Sequence, residues 1–309
     1  MTSSDMRVKT VLITGASSKF CRPTVTRLLS RTDRVIALTR TSECQIRDPK
    51  VAHLKIDLAE GCSIDEPAEY VIHLAGYTPY TGASGCGRSQ IYRNNVSAFI
   101  NVLNYCARFR PRKLVFVSTT DVYPLVNDAE ICEQTPTQPN GFYGVCKLIC
   151  ERAAGTYADL FGIPVSILRL GPVFGPEMSH RLSVWKMLKR VSQGETVDLV
   201  NPENVLSLLS VEDAARAIAL ATEAPAGTYN IAGYPLTVEE FLSRAPDAYR
   251  TVLTTEKRTD PERRTTLRFD MGSAESSLGW RPSVFDVESV LRLRSDFDEP
   301  EPEPELDAN

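Results

Sequence analysis

The chain has 309 residues, 42% of them hydrophobic, enough to bury a core as one large domain or a domain with an added lobe. The net charge of −4 is concentrated in residues 296–309 (DFDEPEPEPELDAN), which carry seven acids and no base, so the body is near +3 and gives no sign of binding nucleic acid. No stretch reaches the roughly twenty apolar residues that span a bilayer and the N-terminus lacks a long apolar signal region, so a soluble, cytoplasmic protein is expected.

Residues 8–14 (VKTVLIT) predict a first strand running into the turn Gly15-Ala-Ser-Ser-Lys-Phe-Cys21 and a helix containing Val25, Leu28 and Leu29. Such a turn offers backbone N–H groups and a helix dipole to a diphosphate, with Gly15, Ser17, Ser18, Lys19 and Phe20 as its candidates. Ser18 and Cys21 stand where the later two of three glycines are usual, so the turn alone also fits a plain β-α connection.

A second strand at 34–38 (RVIAL) leads to Arg40, either a solvated loop cation or a partner for a ribose 2′-phosphate, which favours NADP(H) over NAD(H). The third, at 53–57 (HLKID), ends on Asp57, placed either for an adenine amino group or as a helix cap. Further strands are expected at 70–75 (YVIHLA), 113–118 (KLVFVS) and 164–170 (PVSILRL), with helices over about 89–108 and 141–161. Alternation of this kind predicts an α/β fold, a doubly wound parallel sheet (Rossmann fold) whose ligands sit beyond the strand C-termini. After Leu170 the rhythm breaks, predicting a smaller C-terminal substrate-binding lobe. Residues 1–175 form mainly the dinucleotide-binding unit, with 204–232 returning to it; 176–203 and 233–295 make the lobe, and 296–309 a disordered acidic tail.

Tyr143 and Lys147 are four residues apart on the second of those helices and therefore share a face. An ammonium about 4 Å from a phenol at an effective dielectric of about 20 contributes roughly 4 kcal/mol, enough to carry the phenol from about 10 toward neutrality before desolvation takes some back. The preceding strand brings hydroxyls at Ser118, Thr119 and Thr120, and the set reads as an acid/base device for moving a hydride and a proton. The eight cysteines show no disulfide spacing, and with only three scattered histidines no metal site is expected.

The ordered set Thr14-Gly15, Asp57-Leu58, His73-Leu-Ala-Gly76, Asn95-Val96, FVSTTDVY at 116–123, Tyr143 to Lys147 with Glu151, RLGPVFGP at 169–176, Val211-Glu-Asp213, Tyr229-Asn-Ile231 and LGWRP at 278–282 resembles the extended short-chain dehydrogenase/reductase family. This is the NAD(P)-dependent epimerase/dehydratase group that includes many sugar-nucleotide enzymes, and the likeness covers about 8–294. It implies Tyr143 as proton donor or acceptor, Lys147 lowering its pKa and holding the nicotinamide ribose, and Thr119 bonding the same substrate oxygen. Val117 and Ser118 would line the nicotinamide pocket, and Leu74, Ala75 and Gly76 would pass near the cofactor phosphates and ribose. Asp57, Leu58, Asn95, Pro172 and Val173 complete the implied cofactor contacts, and Tyr77, Arg88, Thr120 and Arg181 the substrate side. A homodimer through the two long helices is also implied.

The chain departs from the family pattern at Thr119-Thr120-Asp121, where dehydratases carry a Glu as third residue, so Asp121 is either an additional base or a loop cap. Leu206 replaces an Arg, and Gly171-Pro172 replaces an Asn, that commonly hold a nucleotide diphosphate. With Arg40 pointing to NADP(H), the leading expectation is a reductase of a keto-sugar nucleotide. The alternatives are an epimerase or dehydratase that retains its cofactor, and a non-catalytic dinucleotide-binding regulator.

Overall fold

The computed structural model describes residues 9–40, 46–78, 87–125, 129–174, 190, 195, 199–244, 257–258, 260 and 266–284. Arg181 and the acidic tail 296–309 lie outside the described residues.

In chain order the elements are β1 (Thr10–Thr14), α1 (Cys21–Leu28), β2 (Arg34–Thr39), β3 (Val51–Lys55), β4 (Tyr70–His73), α2 (Arg88–Tyr92), a π turn (Arg93–Ser97) and α3 (Ala98–Phe109). There follow β5 (Lys113–Thr119), β6 (Glu130–Ile131), α4 (Phe142–Phe161), β7 (Val165–Leu170), β8 (Leu199–Val200), β9 (Val205–Leu206), α5 (Val211–Ala221) and β10 (Gly227–Ile231). The described chain closes with β11 (Leu236–Thr237), α6 (Val238–Ser243), β12 (Lys257–Arg258), β13 (Arg268–Phe269) and a second π turn (Ala274–Leu278).

Seven strands form one sheet in the order β10-β7-β5-β4-β1-β2-β3, and every neighbouring pair is parallel. All of β1 and β5 is buried, as strands covered on both faces must be. One face packs Cys21, Val25 and Leu28 of α1 with Ala214, Ala217, Ile218 and Ala221 of α5. The other packs Phe99, Val102, Leu103 and Cys106 of α3 with Cys146, Cys150 and Ala154 of α4. Helix α5 starts where the Ser210 side chain accepts from the Asp213 N–H, and α4 stops at Gly162 in the left-handed conformation, φ 66°. No helix among the described residues is long and apolar enough to cross a membrane.

Three of the departures from the expected boundaries have a local physical cause. Strand β3 runs two residues earlier than 53–57, because Asp57 begins a turn in which its Oδ1 accepts the Ala59 N–H at 3.0 Å. Strand β4 ends at His73, because the backbone turns where the Ala75 N–H meets Thr14 Oγ1. The expected helix over 89–108 is split by the π turn Arg93–Ser97, in which Asn94 and Asn95 are buried.

Candidate active site

The C-terminal ends of β1, β2, β4 and β5 open into a cavity of about 420 Å³. Gly15 forms its floor with φ 69°, and a Cβ there would stand 2.5 Å from the Ala75 nitrogen, so only glycine lets the first turn cross β4 this closely. The two departures from the glycine pattern are absorbed locally. The Cys21 side chain is fully buried in the core beneath α1, while Ser18 Oγ accepts the Phe20 N–H at 3.3 Å.

Of the residues singled out in the sequence, Gly15, Ser17, Ser18, Lys19, Phe20, Arg40, Asp57, Leu58, Leu74, Ala75, Gly76, Tyr77, Val117, Tyr143 and Lys147 all line this cavity. Asn95 stands behind the wall: its Nδ2 donates to the carbonyls of Tyr77 and Ile91, both at 2.9 Å, and its Oδ1 accepts the Tyr77 N–H. Ser118 is buried and donates to Glu151 Oε1 at 2.6 Å. Thr119 accepts the Asp121 N–H at 3.2 Å and, like Thr120, is nearly buried outside the cavity wall. Pro172 and Val173 pair instead with Leu209, and Arg88 is exposed at the start of α2. Six further residues line the cavity that sequence reasoning passed over: Leu38, Thr39, Ile56, Thr78, Asn94 and Ala98.

Helix α4 carries Tyr143 and Lys147 against β5. A Cβ on Gly144 would collide with the carbonyl oxygen of Asp121, so glycine beside Tyr143 allows this approach. Lys147 is 5% exposed, donates to the Val117 carbonyl at 2.9 Å, and lies 5.9 Å from the Tyr143 ring centre. Burial lowers its pKa, against an opposing pull from Cys150, Glu151 and Cys146. Below it, His73 bonds Thr14 Oγ1 through Nδ1 at 2.8 Å and packs against Phe99 and Phe116. Burial, aided by the Lys147 charge, holds this imidazole well below its usual pKa.

Behind the helix, Glu151 binds Arg169 at 2.7 Å in a pair whose side chains are 4% and 8% exposed. Arg169 Nη1 donates to the Tyr123 hydroxyl, which donates to Asn230 Oδ1, both at 2.7 Å. At the far end of the cavity, partial burial would raise the Asp57 carboxyl, but the Ala59 N–H, Arg93 and Arg40 outweigh it and hold the pKa low. Arg93 Nη2 reaches Asp57 Oδ2 at 2.9 Å and Glu60 Oε1 at 2.5 Å.

Among the described residues, no group of three or more His, Cys, Asp and Glu could hold a metal ion. The described residues fit a dinucleotide: the Gly15 turn lies close against the Ala75 backbone, the cations Lys19 and Arg40 line the cavity, and the buried Asn94 amide nitrogen has no hydrogen-bond partner among the described residues.

Comparison with known proteins agrees with this geometry. The chain is 30% identical over 137 residues to an uncharacterized UDP-glucose epimerase, YtcB, of Bacillus subtilis, and 26% identical over 137 residues to UDP-glucuronate 4-epimerase 4 of Arabidopsis thaliana. Both matches cover 44% of this chain, but only 42% and 31% of those proteins, so less than half of each relative is spanned. In structure it superposes on a UDP-glucuronic acid 4-epimerase of Bacillus cereus solved with NAD, at TM-score 0.76 and 18% identity, covering 93% of this chain and 98% of that one. It also superposes on MoeE5 solved with UDP-glucuronic acid and NAD, at TM-score 0.74 and 24% identity, covering 93% and 98%. At these identities the superpositions establish the shared fold. The family model of NAD-dependent epimerases and dehydratases matches residues 11–232, well over half of the chain, and the protein belongs to that family.

Proposed function

We propose that the protein is a nucleotide-sugar epimerase that removes and returns a hydride at one carbon of its substrate while retaining its dinucleotide. The observation that carries this is the meeting of Tyr143, Lys147 and Val117 with the glycine cradle in one cavity. The relatives named as UDP-sugar epimerases favour epimerisation over the net reduction expected from Arg40 alone.

When bound, the nicotinamide supplies a hydride acceptor and donor. Tyr143 takes the proton of the substrate hydroxyl and gives it back to the resulting ketone. Lys147, fixed on Val117, presents its charge to the phenol side of the site, favouring the ionised form that accepts a proton. Thr119, at the end of the strand that also carries Val117, is assigned the same substrate oxygen by the family resemblance. Gly15, Ser17, Ser18, Lys19 and Phe20 hold the diphosphate, Asp57 and Leu58 the adenine, and Arg40 the ribose end, where its guanidinium suits the 2′-phosphate of NADP(H). The dinucleotide unit keeps 204–232 with 1–175, supported by the place of β10 beside β7 in the main sheet. The apolar stripe Phe142, Val145 and Ile149 on the outer face of α4 supports a homodimer, and the free thiols of the six described cysteines suit a cytoplasmic location.

A second reading, an NADPH-dependent reductase of a keto-sugar nucleotide, is favoured by Arg40. The two separate on purification: protein prepared without added cofactor is denatured and the released dinucleotide identified by mass spectrometry. An epimerase releases about one equivalent per chain, whereas a reductase, which must exchange its cofactor at each turnover, comes away empty.

A further inference from the structure

Asn94 lies on the π turn, is 9% exposed and lines the cavity. Its Oδ1 accepts from Arg40 Nη1 at 2.8 Å and less closely from Arg93 Nη1 at 3.4 Å. Its Nδ2 is buried without a hydrogen-bond partner among the described residues, an unfavourable state that a ligand acceptor would relieve. The acids around Arg40 are already engaged, since Arg93 spans both Asp57 and Glu60. Among the described residues Arg40 bonds a neutral amide and makes no direct ion pair, although its charge also acts on Asp57 through space, so part of that charge stays available to an incoming anion.

The geometry points to Asn94 as the positioning residue that sets cofactor selectivity: it fixes the Arg40 guanidinium, without neutralising it, for the phosphate that distinguishes NADP(H) from NAD(H). This rests on the assignment of the 2′-phosphate to Arg40 under Proposed function. The amide has the right chemistry for the task. An aspartate of the same shape would grip the guanidinium more firmly but cancel its charge. An alanine would release it, and binding would then bear the entropy of ordering a long side chain.

Once any retained dinucleotide has been released and removed, calorimetry with NADPH and NADH tests this on the wild type, Arg40→Ala, Asn94→Ala, Asn94→Asp and the Arg40→Ala, Asn94→Ala double variant. The readout is the ratio of the two dissociation constants, and retained NADH binding shows that each cleft is folded; Asn94→Ser replaces any variant that loses its cooperative thermal transition. Arg40→Ala is expected to cut the preference for NADPH about tenfold to a hundredfold. Asn94→Asp should do nearly as much and Asn94→Ala about threefold to tenfold, while Asn94→Ala should leave the ratio unchanged once Arg40 is gone. If the Asn94 variants weaken both cofactors by the same factor, Asn94 touches only the part the two share, and the proposal is overturned. If Arg40→Ala leaves the ratio unchanged, the 2′-phosphate assignment fails first and the role of Asn94 falls with it.

Discussion

Lys147 donates to the carbonyl oxygen of Val117 at 2.9 Å, tying the helix that carries Tyr143 to the strand that ends in Thr119. One bond thus fixes the cation, the phenol and the strand end relative to one another, which is the preorganisation proton transfer needs.

Tyr143→Phe removes only the phenolic oxygen. Turnover of a nucleotide sugar is expected to fall about a hundredfold to ten-thousandfold, with cofactor affinity nearly unchanged. Steady-state kinetics beside calorimetry checks this; retention of near-normal turnover would remove Tyr143 from the chemistry.

His73 gives the fold a definite pH dependence. Its folded-state pKa is held well below 6.5, so the unfolded chain binds a proton that the folded one refuses as pH falls through that value. Stability is then lost toward acid, by up to about 1.4 kcal/mol per pH unit until the folded imidazole also titrates. Urea unfolding between neutral pH and about pH 5 should show a shallower loss for His73→Asn than for the wild type. Identical slopes would contradict a buried neutral imidazole.

The buried pair of Glu151 and Arg169 is expected to be costly to break and cheaper to replace whole. Glu151→Leu or Arg169→Met alone should destabilise by about 3–5 kcal/mol, and the double variant should recover much of that. Denaturant titration of the three variants measures it, and simple additivity would show that the pair is not coupled.

Much of this architecture was legible in the sequence because it rests on period and punctuation. The apolar runs around Val11–Ile13, Val35–Leu38 and Leu114–Val117 are buried on both faces, and such strands announce themselves without context. Tyr143 and Lys147 were legible because helical spacing dictates their shared face. The π turn was not: one extra residue in a helical turn leaves no compositional mark, and Asn94 was missed for that reason although its neighbour Asn95 was read. The direction of Ser118 was also hidden, since its bond to Glu151 depends on how α4 packs on β5. Thr39 and Ile56 entered the cavity wall through strand order, and Ala98 through the packing of α3.

The proposed homodimer makes Ile149 a sensitive position, because it is 41% exposed on the outer face of α4, in line with Val145 and Phe142. Ile149→Arg is expected to convert a dimer to a monomer, as read by light scattering after size exclusion. A wild type that elutes as a monomer would refute the assembly directly.

The most direct measurement is to incubate the purified protein with UDP-glucuronic acid or UDP-glucose, follow the sugar by NMR, and record nicotinamide absorbance in the same sample. An epimerase of the proposed kind would invert one carbon of the sugar over many turnovers with no net change in cofactor oxidation state. Product that accumulates only as NADPH is consumed, or a bound cofactor with no reaction of either sugar, would contradict the account.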